Sequence, residues 1–218
     1  MKEFIKSHKG LIALSAAFVV IVSAVIFHYL HMKEIAGKFE GKWRAAAGMR
    51  VELINAQFDV FGGGGSIGSI LISDQDESYK PLIYLENVEL RYVPFSSYWG
   101  PLKIKEFAVA EGDAEVNIIG SGWRVKLLNT QLKELIETKN QAETKAFQFS
   151  NVQIGRGRML IGPAQIGVNF ERIAEFPPTN LTFSEDQNKE LSDIDEIRYI
   201  LFELTRQSLE ATSYPMIR

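Results

Sequence analysis

The 218-residue chain contains no cysteine, so cysteine proteases, thiol redox chemistry, cysteine zinc sites and iron–sulfur clusters are excluded. Histidine is nearly as scarce. His8, His28 and His31 are the only three, and none follows residue 31. The usual general base of a Ser-His-Asp hydrolase and the commonest metal ligand are therefore missing from most of the chain. Excess charge is lacking too. Lys and Arg number 24 against 27 Asp and Glu, a net charge of -3, which argues against nucleic-acid binding through bulk electrostatics. These absences point to a non-enzymatic protein that needs no metal and no cofactor.

What is present is a long apolar run. Leu11 to Leu30 reads LIALSAAFVVIVSAVIFHYL, 20 residues without Asp, Glu, Lys or Arg. As a helix it rises roughly 30 Å, the thickness of a bilayer core. Leu11, Val19, Val20, Ile26 and Phe27 are its anchor candidates. A cleaved signal peptide has a shorter apolar stretch and ends in small residues. This run ends in Phe27-His28-Tyr29-Leu30, which favours a retained anchor. Lys2, Lys6 and Lys9 precede it, and Lys33, Lys38, Lys42 and Arg44 follow, so charge alone does not orient it. A short tail with the bulk exported is the economical topology.

The rest divides by composition. Residues 1–10 are a tail, 11–30 the transmembrane helix, 31–49 a juxtamembrane connector whose helix continues to about Phe39, and 50–212 the main domain. Within that domain a strand block covers 50–138, a polar linker 139–145, and a second strand block with a helix 146–212. Alternation predicts strands over Arg50–Phe61, Ser69–Ser73, Leu82–Val93, Lys103–Ala110, Ala114–Ile119, Phe147–Ile154, Arg158–Ile161 and Gln165–Phe170. In the first, Ile54, Ala56, Phe58 and Val60 share a face. In the third, Leu82, Tyr84, Val88, Leu90 and Tyr92 do. Glu111-Gly112-Asp113 reads as a hairpin turn. Helical periodicity runs over Trp123–Thr138, with Asn129 or Thr130 as caps, and over Ser192–Ala211. Ser192 and Asp195 have capping-box spacing, and Asp195 and Glu196 lie on the polar face of the last helix.

Local motifs are bland. Gly62 to Gly65 lacks the Gly-Lys-Ser/Thr of a phosphate cradle and joins two strands, so it reads as a turn. Gly155-Arg156-Gly157-Arg158 reads as a bend, and Asp74, Asp76 and Glu77 do not complete a calcium loop. The informative excess is apolar strand surface with only two helices to cover it. An ordinary packed sheet is one reading. A strongly curved sheet whose apolar face holds acyl chains is the other, with Phe58, Val60, Tyr84, Leu90, Tyr92, Phe107 and Phe149 as lipid-facing candidates.

The anchor is followed by Gly48-Met49-Arg50-Val51, the strand through Phe58, Ile70–Ile72, Pro81, Asn87-Val88-Glu89-Leu90, Lys103-Ile104-Lys105-Glu106-Phe107 and the Glu115-Val116 strand. The Leu-rich helix introduced by Asn129, Phe149-Ser150-Asn151-Val152 and the helix led by Asp193-Ile194 complete the series. This order resembles the small AsmA-like proteins of Gram-negative bacteria, distantly similar to bridge-like lipid-transfer proteins. The resemblance implies an α+β protein: an N-terminal transmembrane helix, then a curved, mainly antiparallel, β-taco-like sheet with two covering helices. It also implies an inner-membrane anchor with a cytoplasmic N-terminus, a periplasmic bulk, and a role in binding membrane lipids or assisting outer-membrane and envelope assembly. It supplies no catalytic residue, and a domain this short does not bridge two membranes. The alternative expectation is a structural or accessory subunit of a larger membrane complex, with other envelope proteins as partners.

Overall fold

The computed structural model describes residues 9–59, 61–73, 82–109, 116–119, 122–137, 145–161 and 172–213. Helix α1 (Lys9–Ala47) carries the apolar run and continues without a break through the residues expected to form a connector. It stops where Gly48 takes a left-handed φ of 64° and its N–H donates to the Arg44 carbonyl, a glycine cap that a side chain would strain. From Ala13, α1 is the one helix among the described residues long and apolar enough to cross a membrane, as an anchor or a signal sequence would.

Among the described residues eleven strands follow in one sheet. They are β1 (Arg50–Ile54), β2 (Gln57–Asp59), β3 (Gly64–Ser73), β4 (Ile83–Tyr92), β5 (Leu102–Val109), β6 (Val116–Ile119), β7 (Phe147–Phe149), β8 (Asn151–Ile154), β9 (Gly157–Ile161), β10 (Arg172–Phe176) and β11 (Thr179–Thr182). The helices after α1 are α2 (Ser96–Trp99), α3 (Gly122–Glu137), α4 (Glu185–Glu190) and α5 (Asp193–Ser213). The main path runs β10-β9-β6-β4-β5-β8-β11, with β3 on the far side of β4 carrying β1 and β2. Most pairs are antiparallel, but β5–β7, β5–β8 and β6–β9 are parallel.

The expected curved, taco-like sheet is not found. The sheet is open and not strongly curved, and its apolar face is filled by the chain's own side chains. Two features of the sequence account for this. Phe39 and Trp43, in the presumed connector, lie on the sheet and are fully buried. Of the two expected covering helices, α5 packs on strands β7, β9, β10 and β11, whereas α3 packs chiefly on α5. The place of the second cover is taken by α1, which contacts β1, β2 and α5. A face already filled by aromatics, each burying roughly 150–250 Å², leaves no apolar surface for the sheet to curl around.

Strand phase also departs from simple alternation, at one row. Asn55 and Asn87 have left-handed φ values of 54° and 51°. Between them in the sheet lies Gly68, whose missing Cβ would sit 3.2 Å from the Ile54 carbonyl oxygen. Ile54, Ser69 and Glu86 are aligned on one side of this row, and Gln57, Ser66 and Glu89 on the other. All three strand lines turn over there. Burial passes from Val51 to Phe58, from Ile70 and Ile72 to Ile67, and from Ile83 and Leu85 to Val88, Leu90 and Tyr92. The register is the same on both sides of the row, so no residue is inserted; a row that leaves the extended conformation exchanges the inward and outward faces beyond it, and all three lines reverse together. Ile54 is consequently exposed and Tyr84 half-buried.

Among the described residues β5 and β6 do not pair with each other as the expected hairpin would. Both strands pair with β4, one beside each half of it. The Glu111-Gly112-Asp113 turn, the Gln165–Phe170 strand, the Asp74–Glu77 cluster and most of the 139–145 linker lie outside the described residues.

The first half of the glycine run is a turn, whereas Gly64 and Gly65 already belong to β3. Asp59 Oδ1 accepts from the N–H groups of Phe61 (3.2 Å) and Gly62 (2.9 Å). Gly63 has φ 70°, and a Cβ there would stand 2.8 Å from the Tyr92 carbonyl oxygen. Gly63→Ala should therefore cost about 2 kcal/mol or more in denaturant unfolding, since left-handed strain alone is about 1–2 kcal/mol. A neutral result would refute this account of the turn.

Candidate functional site

The junction between α1 and the domain holds the most distinctive chemistry. It has three levels. The deepest is an aromatic core. Phe39 meets Phe147 edge-on at 5.2 Å between ring centroids and contacts Phe58 at 5.9 Å. Trp43 stacks on Phe107 at 5.7 Å, and Phe107 meets Phe149 at 6.0 Å. Apolar residues at positions 35, 39, 43, 46 and 47 make a helical stripe that faces the sheet. Phe58, Leu90, Tyr92, Phe107 and Phe149, the expected lipid-facing residues, are all buried on this side of the sheet. Tyr84 is not among them. Its hydroxyl accepts from Ser69 Oγ and donates to Glu86 Oε1, each at 3.2 Å. Val60 lies outside the described residues.

The second level is polar and buried. Strand β7 pairs with β5 on one side, and carboxylates of α5 serve the other. Asp193 Oδ2 accepts from the N–H groups of Ala146 (2.8 Å) and Phe147 (3.3 Å), and Glu196 Oε2 accepts from Phe149 N–H at 2.9 Å. Two cations balance them. Lys42 of α1 lies 3.2 Å from Asp193, and Lys145 pairs with Glu196 while donating to the carbonyls of Asn188 (2.9 Å) and Leu191 (3.2 Å). Burial pushes the Glu196 carboxyl up to about 7, against the opposing pull of Lys145 and of the Phe149 amide. Asp195 and Glu196 are thus buried, although the sequence places them on the solvent face of the last helix. Ser192 and Asp195 do form the expected capping box, and Asp195 also pairs with Arg198 at 3.0 Å. Asn129 does not cap α3. From mid-helix it donates to the Phe202 carbonyl (3.2 Å) and Thr205 Oγ1 (2.9 Å) of α5. The arrangement ties α1, α5 and a sheet edge together. Among the described residues, no group of three His, Asp or Glu side chains is placed to hold a metal ion.

The third level is a ring cluster where the apolar run ends. His28 lies 4.0 Å from Phe61, centroid to centroid, and Phe61 meets Phe95 edge-on at 5.2 Å. His31 stacks on Tyr98 at 4.2 Å and contacts Ser97 Oγ at 3.0 Å. Phe27 stacks on both His31 and Tyr98. Below this level Val19, Val20 and Ile26 are exposed, while Leu11 has no described side chain.

Sequence reasoning missed Phe39, Trp43, the two histidines as ring partners and the two α5 carboxylates. The first pair had a readable signal, because Ile35, Phe39 and Trp43 recur at four-residue spacing. The others had none, since their partners come from distant turns and strands.

The class defined by this fold is a helix-led α+β domain whose leading helix is both the apolar segment and part of the core. No family model, curated protein or solved structure matches the chain.

Proposed function

We propose that the protein is a single-pass, non-catalytic envelope module that serves as a structural or accessory subunit of a larger membrane assembly. One observation carries this reading. A single uninterrupted helix leads from wholly exposed apolar residues to fully buried Phe39 and Trp43. A helix cannot bend freely without a break such as proline or an inserted group, so the domain is held at a set height and orientation over the bilayer. A subunit that positions a surface needs such a mount. A carrier that loads acyl chains onto Phe58, Leu90, Phe107 and Phe149 would have to displace α1 first. The AsmA-like pattern of the sequence adds the orientation, with a cytoplasmic N-terminus and a periplasmic domain.

Native mass spectrometry of the intact protein, gently extracted from its own membrane, tests this. The expected result is a stoichiometric protein companion on a chain that retains residues 1–30. A chain that carries only phospholipid, or one cleaved after the apolar run, overturns the proposal.

A further inference from the structure

We infer that the folded domain itself enters the bilayer interface, through Phe61 on the β2–β3 turn and Phe95 and Trp99 on the β4–β5 connection, and that its occupant is the lipid surface around α1. The inference rests on the reading of 11–30 as a membrane span.

Depth is the first argument. Phe61 and Tyr98 touch His28, His31 and Phe27 directly. Phe27 and His28 belong to the apolar run itself. Residues 27 to 31 cover roughly 6 Å of helix axis, about the depth of one interfacial layer. Any placement that buries residues 11–30 in hydrocarbon therefore sets the rings of both loops at the boundary between acyl chains and headgroups.

Exposure is the second. Trp99 is 83% exposed, Phe61 51% and Phe95 40%, and their rings join the cluster at the end of the apolar run through His28 and Tyr98. Three bulky aromatics on two separate loops, converging beside an apolar helix, are costly in water and comfortable in an interface, where tryptophan is enriched.

Construction is the third. Phe95 is held at φ 61°, a left-handed conformation that is rare for a bulky residue. Ser96 clamps the corner: its hydroxyl donates to the Val93 carbonyl at 2.8 Å and accepts from Lys103 N–H at 3.0 Å. The clamp presents Phe95 and Trp99 outward from the sheet. Lys33, exposed two residues beyond His31, would then face the headgroup phosphates. The alternative occupants are a partner protein or a second copy, and neither explains why the patch stops at the level where the apolar run stops.

The cysteine-free sequence allows a direct test. Full-length protein with single nitroxide-labelled cysteines is reconstituted in phosphatidylcholine–phosphatidylglycerol vesicles, and accessibility to oxygen and to a water-soluble nickel complex is compared. The sites are Phe61→Cys, Trp99→Cys, Val20→Cys within the span, and Gln153→Cys on the exposed face of the sheet. The oxygen-to-nickel ratio should be several-fold higher at 61 and 99 than at 153, and highest at 20. A deep position 20 with 61 and 99 as wet as 153 overturns the inference and leaves the anchor standing. Labels at 61 and 99 shielded from both reagents also overturn it, because a protein then covers the patch. A wet position 20 overturns the anchor reading instead. In the unlabelled chain, lipids brominated near the headgroup should quench a tryptophan component that Trp99→Phe removes. Persistence of that quenched component in the variant would count against Trp99 as an inserted residue.

Discussion

Trp43→Ala should lower the unfolding free energy by roughly 3–5 kcal/mol, measured by denaturant titration of the full chain in detergent micelles. Trp43 is fully buried between α1 and the sheet and stacks on Phe107, so truncation opens a cavity at the centre of the domain. A second variant isolates the cause. Among the described residues the Trp43 indole Nε1 has no hydrogen-bond partner. Trp43→Phe therefore forfeits no hydrogen bond and removes a buried donor that costs about 1–3 kcal/mol to leave unpaired. It should lose far less than the alanine variant. Equal losses for both would mean that ring volume is not what Trp43 supplies. A small loss for alanine would mean that α1 is not part of the core. That result would also remove the observation behind the proposed mount.

The second large effect is a pH dependence centred on Glu196. Its carboxyl titrates near pH 7 in the folded protein and near the ordinary 4.5 in the unfolded chain. The folded state therefore holds an extra proton between these values. Stability from this group is greatest below pH 4.5 and is lost as the pH rises through 7, a swing of about 3 kcal/mol. The groups facing it are Lys145, the Phe149 amide and Asp193, itself paired with Lys42. Glu196→Gln keeps an acceptor for the Phe149 amide and removes the titration. The difference in stability between wild type and variant should change by that amount from pH 4.5 to 8. Parallel pH profiles for the two proteins would overturn the assignment to Glu196.

Local order was legible because it rests on local chemistry. The apolar run, the β4 and β5 strands, the last helix and its Ser192–Asp195 cap each depend on residues within a few positions of one another. The sequence reading of α1 stopped near Phe39 because Gly41 and the alanines that follow resemble a linker. Trp43, only one turn further, is explained by the sheet it meets. The inward face of β4 was half misread for a comparable reason. Asn87 is an ordinary strand-breaking residue until Gly68 and Asn55 are found beside it.

The lipid-facing candidates show the same division. Their apolar character was legible in the strands, and what covers them was left open between a packed sheet and an acyl-chain groove. Whether a face of Phe58, Leu90, Phe107 and Phe149 stays open or is filled depends on a helix more than ten residues earlier in the chain. Pattern within a strand carries no information about that partner. The carboxylates of α5 are a sharper instance. Asp195 and Glu196 look like solvent-facing charges by periodicity, yet one is buried against Arg198 and the other bonds a strand amide across 47 residues of sequence.

By itself, then, the sequence determined that the chain begins with a segment suited to a bilayer, that an α+β domain follows it, and that no thiol chemistry is available. These are properties of composition and of periods two and 3.6, which each segment expresses alone. Tertiary structure decided that the apolar helix is also part of the core, that the sheet stays open and filled, and that aromatic loops gather where the apolar run ends. Those outcomes depend on which distant surfaces meet, and burial is shared between partners that no single segment encodes.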